Sequence, residues 1–224
     1  MIKIIGKKVI DLIAYQQGIL FVLKEMTPDG QYKASFYSFD AKSQSIATVT
    51  KNAYLMTKFG PSFAKITDHL DDYISCEAQR LSDGRVCIVY PGGEIGIFSD
   101  DGELLHTERM KYNGMAVRSL AFDGKHLWFA VPEANAVVRY NCEKNRIDMR
   151  LGNNAGTSLT TPVCVFANKD VLYVCSKTSK CVLAVSLQDF SVTPYQAFDE
   201  PVLQYLRINQ DSFVVFPSGI YLLQ

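Results

Sequence analysis

A chain of 224 residues with 48% apolar and 21% charged side chains has the composition of a globular protein, which excludes a disordered one. Its 23 basic and 23 acidic side chains cancel, so nucleic acid is not an expected partner, because a general polyanion binder carries a basic excess. No apolar run reaches the ~18–20 residues that span a bilayer, so no membrane association is expected. The opening Met1-Ile2-Lys3-Ile4-Ile5-Gly6-Lys7-Lys8 orders its charges wrongly for a signal peptide.

In chain order, Ile2-Lys3-Ile4-Ile5 comes first, a strand with no near partner in the sequence. A strand over 9–15 leads to the apolar run Ile19-Leu20-Phe21-Val22-Leu23, and a rim strand over 46–50 ends this first group. Residues 51–73 break the pattern. There Pro61-Ser62 followed by Phe63, Ile66, Leu70 and Tyr73 predicts a short capped amphipathic helix. Strands return at 74–81 and at Val86-Cys87-Ile88-Val89, and the next turn is Tyr90-Pro91-Gly92-Gly93, where Pro presets φ and Gly supplies φ > 0. The third group has an inner strand over 116–122 and the Asp123-Gly124 turn. A second strand over 126–131, the turn Pro132-Glu133-Ala134-Asn135, a third strand over 136–140 and a rim strand over 146–151 complete it. The fourth group centres on Val171-Leu172-Tyr173-Val174-Cys175. The fifth holds Phe213-Val214-Val215-Phe216, the tip Pro217-Ser218-Gly219, and Tyr221-Leu222-Leu223-Gln224.

The residues just before the central runs are Gly18, Gly84, Lys125, Asp170 and Asp211, at intervals of 66, 41, 45 and 41. Four strands of ~5–6 residues with short turns occupy about forty residues, so a period of 40–45 is one four-stranded antiparallel blade. A β-sandwich also spaces short strands evenly but has no reason to repeat at every fourth. The prediction is an all-β chain: a five-bladed β-propeller in one domain over 1–224. Its blades fall near 9–50, 74–110, 116–151, 161–198 and 202–224, with an insertion at 51–73. The last group has only three strands, so residues 2–5 are expected to complete it, closing the ring and removing two exposed edges.

Leu120-Ala121-Phe122-Asp123-Gly124-Lys125-His126-Leu127-Trp128-Phe129-Ala130, with Asn135-Ala136-Val137-Val138-Arg139-Tyr140, resembles one repeat of NHL, YVTN or gluconolactonase-type propellers. Val131 stands where that pattern usually has Asp. No Trp-Asp pair marks a WD repeat, and a double Gly occurs once only. The resemblance implies architecture. Propellers of this kind include hydrolases, lyases, RNA binders and scaffolds, so it implies no activity.

Candidate site residues follow from the register. Seven residues before the anchors stand Asp11, Glu77, Arg118, Val163 and Gln204, four of them polar on inner strands that are otherwise apolar. They are expected at the upper mouth of the axial channel, on the face carrying the turns between second and third strands. There they form either a polar binding site or an internally paired girdle. Tyr90 and Asn135 lie on turns of that face. Phe63 belongs to the insertion, expected there too as a brace or a lid. No catalytic residue can be nominated: no nucleophile elbow, Walker loop or dinucleotide fingerprint occurs, and His69, His106 and His126 lie in unrelated places. No metal ligands are nominated either, because the six cysteines lack C-x-x-C spacing and read as buried thiols of a reducing cytoplasm. The function expected is a non-enzymatic, cofactor-free and monomeric module. It binds a protein or small-molecule ligand through the upper face and channel mouth. The alternative is a lactonase-like hydrolase or lyase using Ca²⁺ or Mg²⁺ held by Asp11 and Glu77.

Overall fold

The computed structural model describes residues 1–142, 144, 146–152 and 159–223, and Gln224 of the expected last strand lies outside them. Five four-stranded antiparallel sheets follow one another along the chain. Their inner strands are Val9–Tyr15, Glu77–Arg80, Leu120–Phe122, Pro162–Asn168 and Gln204–Ile208. The first four sheets run from inner strand to rim strand through consecutive hairpins, the layout of an up-and-down blade, and the last does so over its first three strands. The central strands are continuous apolar runs because both faces are covered. Ile19-Leu20-Phe21-Val22-Leu23 and Leu127-Trp128-Phe129-Ala130-Val131 are all buried, and alternate residues pack into different inter-blade cores. Four of the six thiols, those of Cys76, Cys87, Cys164 and Cys175, lie in these cores. Burial pushes the Cys87 thiol up to about 12, so it packs as a small hydrophobe.

The ring closes as its ends require. Ile2–Ile5 pairs antiparallel with Gly219–Leu223, Ile2 opposite Leu222 and Ile5 opposite Ile220, and so supplies the fourth strand of the last blade. Gly219 makes the approach possible. Its φ is +135°, and a Cβ there would strike the carbonyl oxygen of Ile5, which is backbone and cannot move aside. Gly219→Ala is therefore expected to lower stability by about 2 kcal/mol or more through strain at the closure, measured by urea denaturation. Gly114→Ala, also at positive φ but in open space, should cost less.

The third blade differs from expectation at its start. Met115–Ala116 pairs with Lys111–Tyr112 in a separate two-stranded ribbon, and the sheet takes over through Arg118 and Ser119, which exchange backbone hydrogen bonds with Ala130. Asp123 ties down the following turn: its carboxylate accepts from the Lys125 and His126 amides and, at 2.7 Å, from the Trp128 indole.

The largest correction concerns the insertion. It contains two helices, α1 (Lys51–Phe59) and α2 (Phe63–Thr67), where a single helix from Phe63 onward was expected. Thr50 caps α1 through its side chain, whereas the Ser62 hydroxyl makes no cap. The insertion does not simply cover the upper face. The Ser62 hydroxyl donates to the Asp100 carbonyl at 2.7 Å, in the turn joining the third and rim strands of the second blade. That turn lies on the opposite face. The two helices thus run the height of the ring between the first and second blades. There Tyr54, Leu55, Phe59, Ile66 and Leu70 fill one core with Leu20 and Val22 on one side and Val86, Ile88 and Phe98 on the other. Elsewhere inner strands of neighbouring blades lie side by side; here α1 packs against Glu77–Arg80. Burial of five large apolar side chains makes this insertion part of the core.

Candidate functional site

Asp11, Glu77 and Gln204 lie on the inner strands of the first, second and fifth blades, and each has a partner. Asp11, on the inner strand of the first blade, is buried and accepts from Lys58 Nζ at 2.6 Å and from the Tyr54 hydroxyl, both on α1. Lys58 spends its other donors on Tyr54 Oη (3.1 Å) and the Ile74 carbonyl (2.9 Å), so a side chain that is 1% exposed is fully satisfied. Glu77 Oε2 accepts from the Ser119 hydroxyl at 2.6 Å and the Leu120 amide at 3.0 Å. Ser119 Oγ in turn accepts from the Val165 amide at 3.1 Å, so one chain of bonds links the second, third and fourth blades. Gln204 Nε2 donates to the Leu12 carbonyl at 2.8 Å and links the last blade to the first.

Burial is the largest influence on Glu77 and pushes its carboxyl up to about 7. Its two hydrogen bonds oppose the rise, the Asp11 carboxylate adds to it, and Lys58 subtracts. The Tyr54 phenol is held far above its usual range by burial and by Asp11, so it stays a donor. These groups form a polar girdle whose bonds run from element to element.

Arg118 does not join them. It is exposed, donates through Nη1 to the Pro91 carbonyl, and meets Glu133 at 3.2 Å across the tips of the second and third blades. Asn135, in the left-handed region at φ 48°, accepts from the Thr161 amide at 2.8 Å and fastens the third blade to the fourth. Tyr90 is half-buried against the insertion core, with its hydroxyl pushed up to about 12 by burial. Phe63 packs into the same core just past the Gly60-Pro61-Ser62 elbow, far from the mouth. The register alone could not find Lys58, Tyr54 or Ser119. The one signal for Lys58 is a basic residue set among Tyr54, Leu55 and Phe59 on the apolar face of α1.

Asp11 and Glu77 do not form an open oxygen set for a hard cation. The Lys58 ammonium occupies the carboxylate that would have to hold one, and no cluster of three His, Cys, Asp or Glu suited to a metal occurs among the described residues.

A second feature of the upper face was not anticipated. The hairpin Gly18–Met26 with Tyr32–Asp40 has nine-residue strands, and Lys24, Glu25 and Met26 pair with Ala34, Lys33 and Tyr32 beyond the reach of the inner strand. This overhang carries Met26, 66% exposed, and Tyr32, 61% exposed, with Lys24 Nζ 4.2 Å from the Tyr32 ring centroid. Beside it lie two clefts of about 440 and 480 Å³ that share Lys8, Lys24 and Lys33. The larger is walled on its far side by Asp72, Ile74 and Ser75 of the returning insertion. Of the surrounding lysines, Lys7 is paired, to Glu25 at 2.7 Å.

Among the described residues no helix is long and apolar enough to cross a membrane. No known protein-family model matches the sequence, and no curated protein sequence does. Solved structures do match in fold. A streptogramin B lyase aligns with a TM-score of 0.58 at 12% identity, over 97% of this chain and 79% of that one. Virginiamycin B lyase from Staphylococcus aureus aligns at 0.56 and 11%, over 100% and 86%. The WD40 repeats of RRP9 align at 0.54 and 11%, over 94% and 58%. Identities this low speak to architecture alone, and they agree with the strand pairing: the chain is a five-bladed β-propeller, similar in fold to lyase and WD40 propellers alike.

Proposed function

We propose that this propeller is a rigid docking module that takes an acidic segment of a partner protein on its upper face, at the overhang of the first blade. The observation that carries the reading is the overhang itself. It combines an exposed Met and an exposed Tyr, the residue types that anchor interfaces, with three lysines that have no carboxylate within ion-pair distance among the described residues. The braced insertion behind it keeps the cleft walls in place without a partner, which limits the ordering cost of binding. Likeness to WD40 propellers is compatible with such a role.

The test is affinity capture with the wild-type chain and with a Met26→Ser, Tyr32→Ser, Lys24→Glu variant, each compared by quantitative mass spectrometry. All three positions are exposed, so the fold should survive. A partner is expected to lose at least ~tenfold in recovery, the scale of hot-spot truncation, and to be sensitive to salt. Partners recovered equally by both chains would overturn the reading.

The hydrolase or lyase reading lacks a free carboxylate pair, because Asp11 is committed to Lys58 and Tyr54. Millimolar Ca²⁺ or Mg²⁺ is therefore expected to leave the melting temperature unchanged. A rise abolished by Asp11→Asn would restore the metal-dependent alternative.

A further inference from the structure

The described residues contain a single buried side-chain nitrogen or oxygen without a hydrogen-bond partner: Nε of Arg207. Arg207 is half-buried on the inner strand of the last blade, and its Nη1 donates to the Tyr173 hydroxyl at 3.1 Å. The groups nearest its charge are the phenols of Tyr173, Tyr195 and Tyr205, packed with ring centroids 5.0–6.0 Å apart. No carboxylate of the described residues lies within ion-pair distance. A guanidinium held in place by a phenol, with one N–H buried and unmet, is a costly arrangement that calls for an explanation.

A cleft of about 420 Å³ adjoins it on the lower face, between the first turns of the fourth and fifth blades. Arg207, Lys169, Asn168 and Asn209 line it with donors, and Val171 and Tyr173 give it an apolar wall. Lys169 and Asn209 both sit in the left-handed region, at φ 53° and 55°, at the bends that frame the cleft. Asp170 is the single acidic group of the lining, and it lies exposed on the same turn as Lys169. The volume is that of a small organic ligand and far exceeds a bare ion.

We propose that this cleft binds a small organic carboxylate. With Nη1 engaged by Tyr173, the Nε and Nη2 edge remains. Nε is sealed from solvent, so binding includes a turn of the Arg207 side chain that opens this edge to a planar carboxylate, which it matches with two parallel bonds. Lys169 adds the second positive charge, and the Val171–Tyr173 wall takes the carbon body of the ligand. The site is independent of the upper-face overhang, being on the opposite side of the ring.

Benzoate serves as the probe, titrated into ¹⁵N-labelled protein with chloride holding the ionic strength constant. The Arg207 Nε–Hε resonance, assigned by its loss in Arg207→Lys, is expected to shift saturably. Read on the Lys169 and Asn209 backbone amides, the apparent Kd should rise ~tenfold in Arg207→Lys, the scale set by losing a charge-assisted bidentate contact. Lys169→Ala, on an exposed turn where folding is not at risk, should weaken it roughly threefold. Absence of saturable binding, or the same Kd in both variants, would overturn the site. Tighter saturation by inorganic phosphate than by benzoate would overturn its assignment to carboxylates.

Discussion

Lys58→Ala is expected to destabilise the protein by about 3–5 kcal/mol, the usual consequence of stranding one member of a buried ion pair. The Asp11 carboxylate, 9% exposed with Lys58 in place, would keep the Tyr54 hydroxyl as its one side-chain donor among the described residues. The measurement is urea denaturation at pH 7, followed by the fluorescence of the sole tryptophan, Trp128, which is buried in the third blade. Lys58→Met separates charge from packing, because it keeps most of the side-chain volume against Tyr54 and Phe59. It should still be strongly destabilising, and adding Asp11→Asn to it should recover a large part of the loss. Strictly additive single-mutant effects would mean that the two groups do not act as a pair. The stakes are architectural, since this pair fastens the helical wedge to the first blade.

The second large effect is on pH dependence. Burial places the native Glu77 carboxyl near pH 7, against an ordinary value of 4.5. Between those values the native state holds a proton that the unfolded chain has released, so the stability contribution present below pH 4.5 is lost as pH rises through 7. A shift of that size corresponds to up to about 3 kcal/mol. Glu77→Gln is expected to abolish the slope, and above pH 7 to be more stable than the wild type by a similar amount. Its side-chain carbonyl can still accept from Ser119 and the Leu120 amide. Denaturation curves collected from pH 4 to 8 check this, and parallel wild-type and variant profiles would assign the slope to other groups.

The residues of this polar girdle differ in how far the sequence exposes them. Asp11, Glu77 and Gln204 were reachable because a repeat fixes a common register, and polar residues at one register position stand out on inner strands that are otherwise apolar. Their partners were not reachable in that way. Ser119 meets Glu77 across 42 positions and Lys58 meets Asp11 across 47, and no local pattern encodes which side chains will face each other over such distances. Arg118 illustrates the reverse case. It shares the register of Glu77, yet the chain reaches it through a separate ribbon, and its long side chain swings out to Pro91 and Glu133. Phe63 has helical spacing with Ile66 and Leu70. That spacing is a packing signal, and it led into the core of the wedge.

Blade number and ring closure were legible from the sequence alone. Strand runs, turn residues and their period are local properties, and an incomplete last blade together with an unpartnered first strand admits one economical pairing. The course of residues 51–73, the overhang of the first hairpin and the neighbours of Arg207 were decided by the tertiary structure. Each depends on how much space two adjacent blades leave between them and on which buried charge or donor lies across that space, quantities that arise only once the sheets are packed.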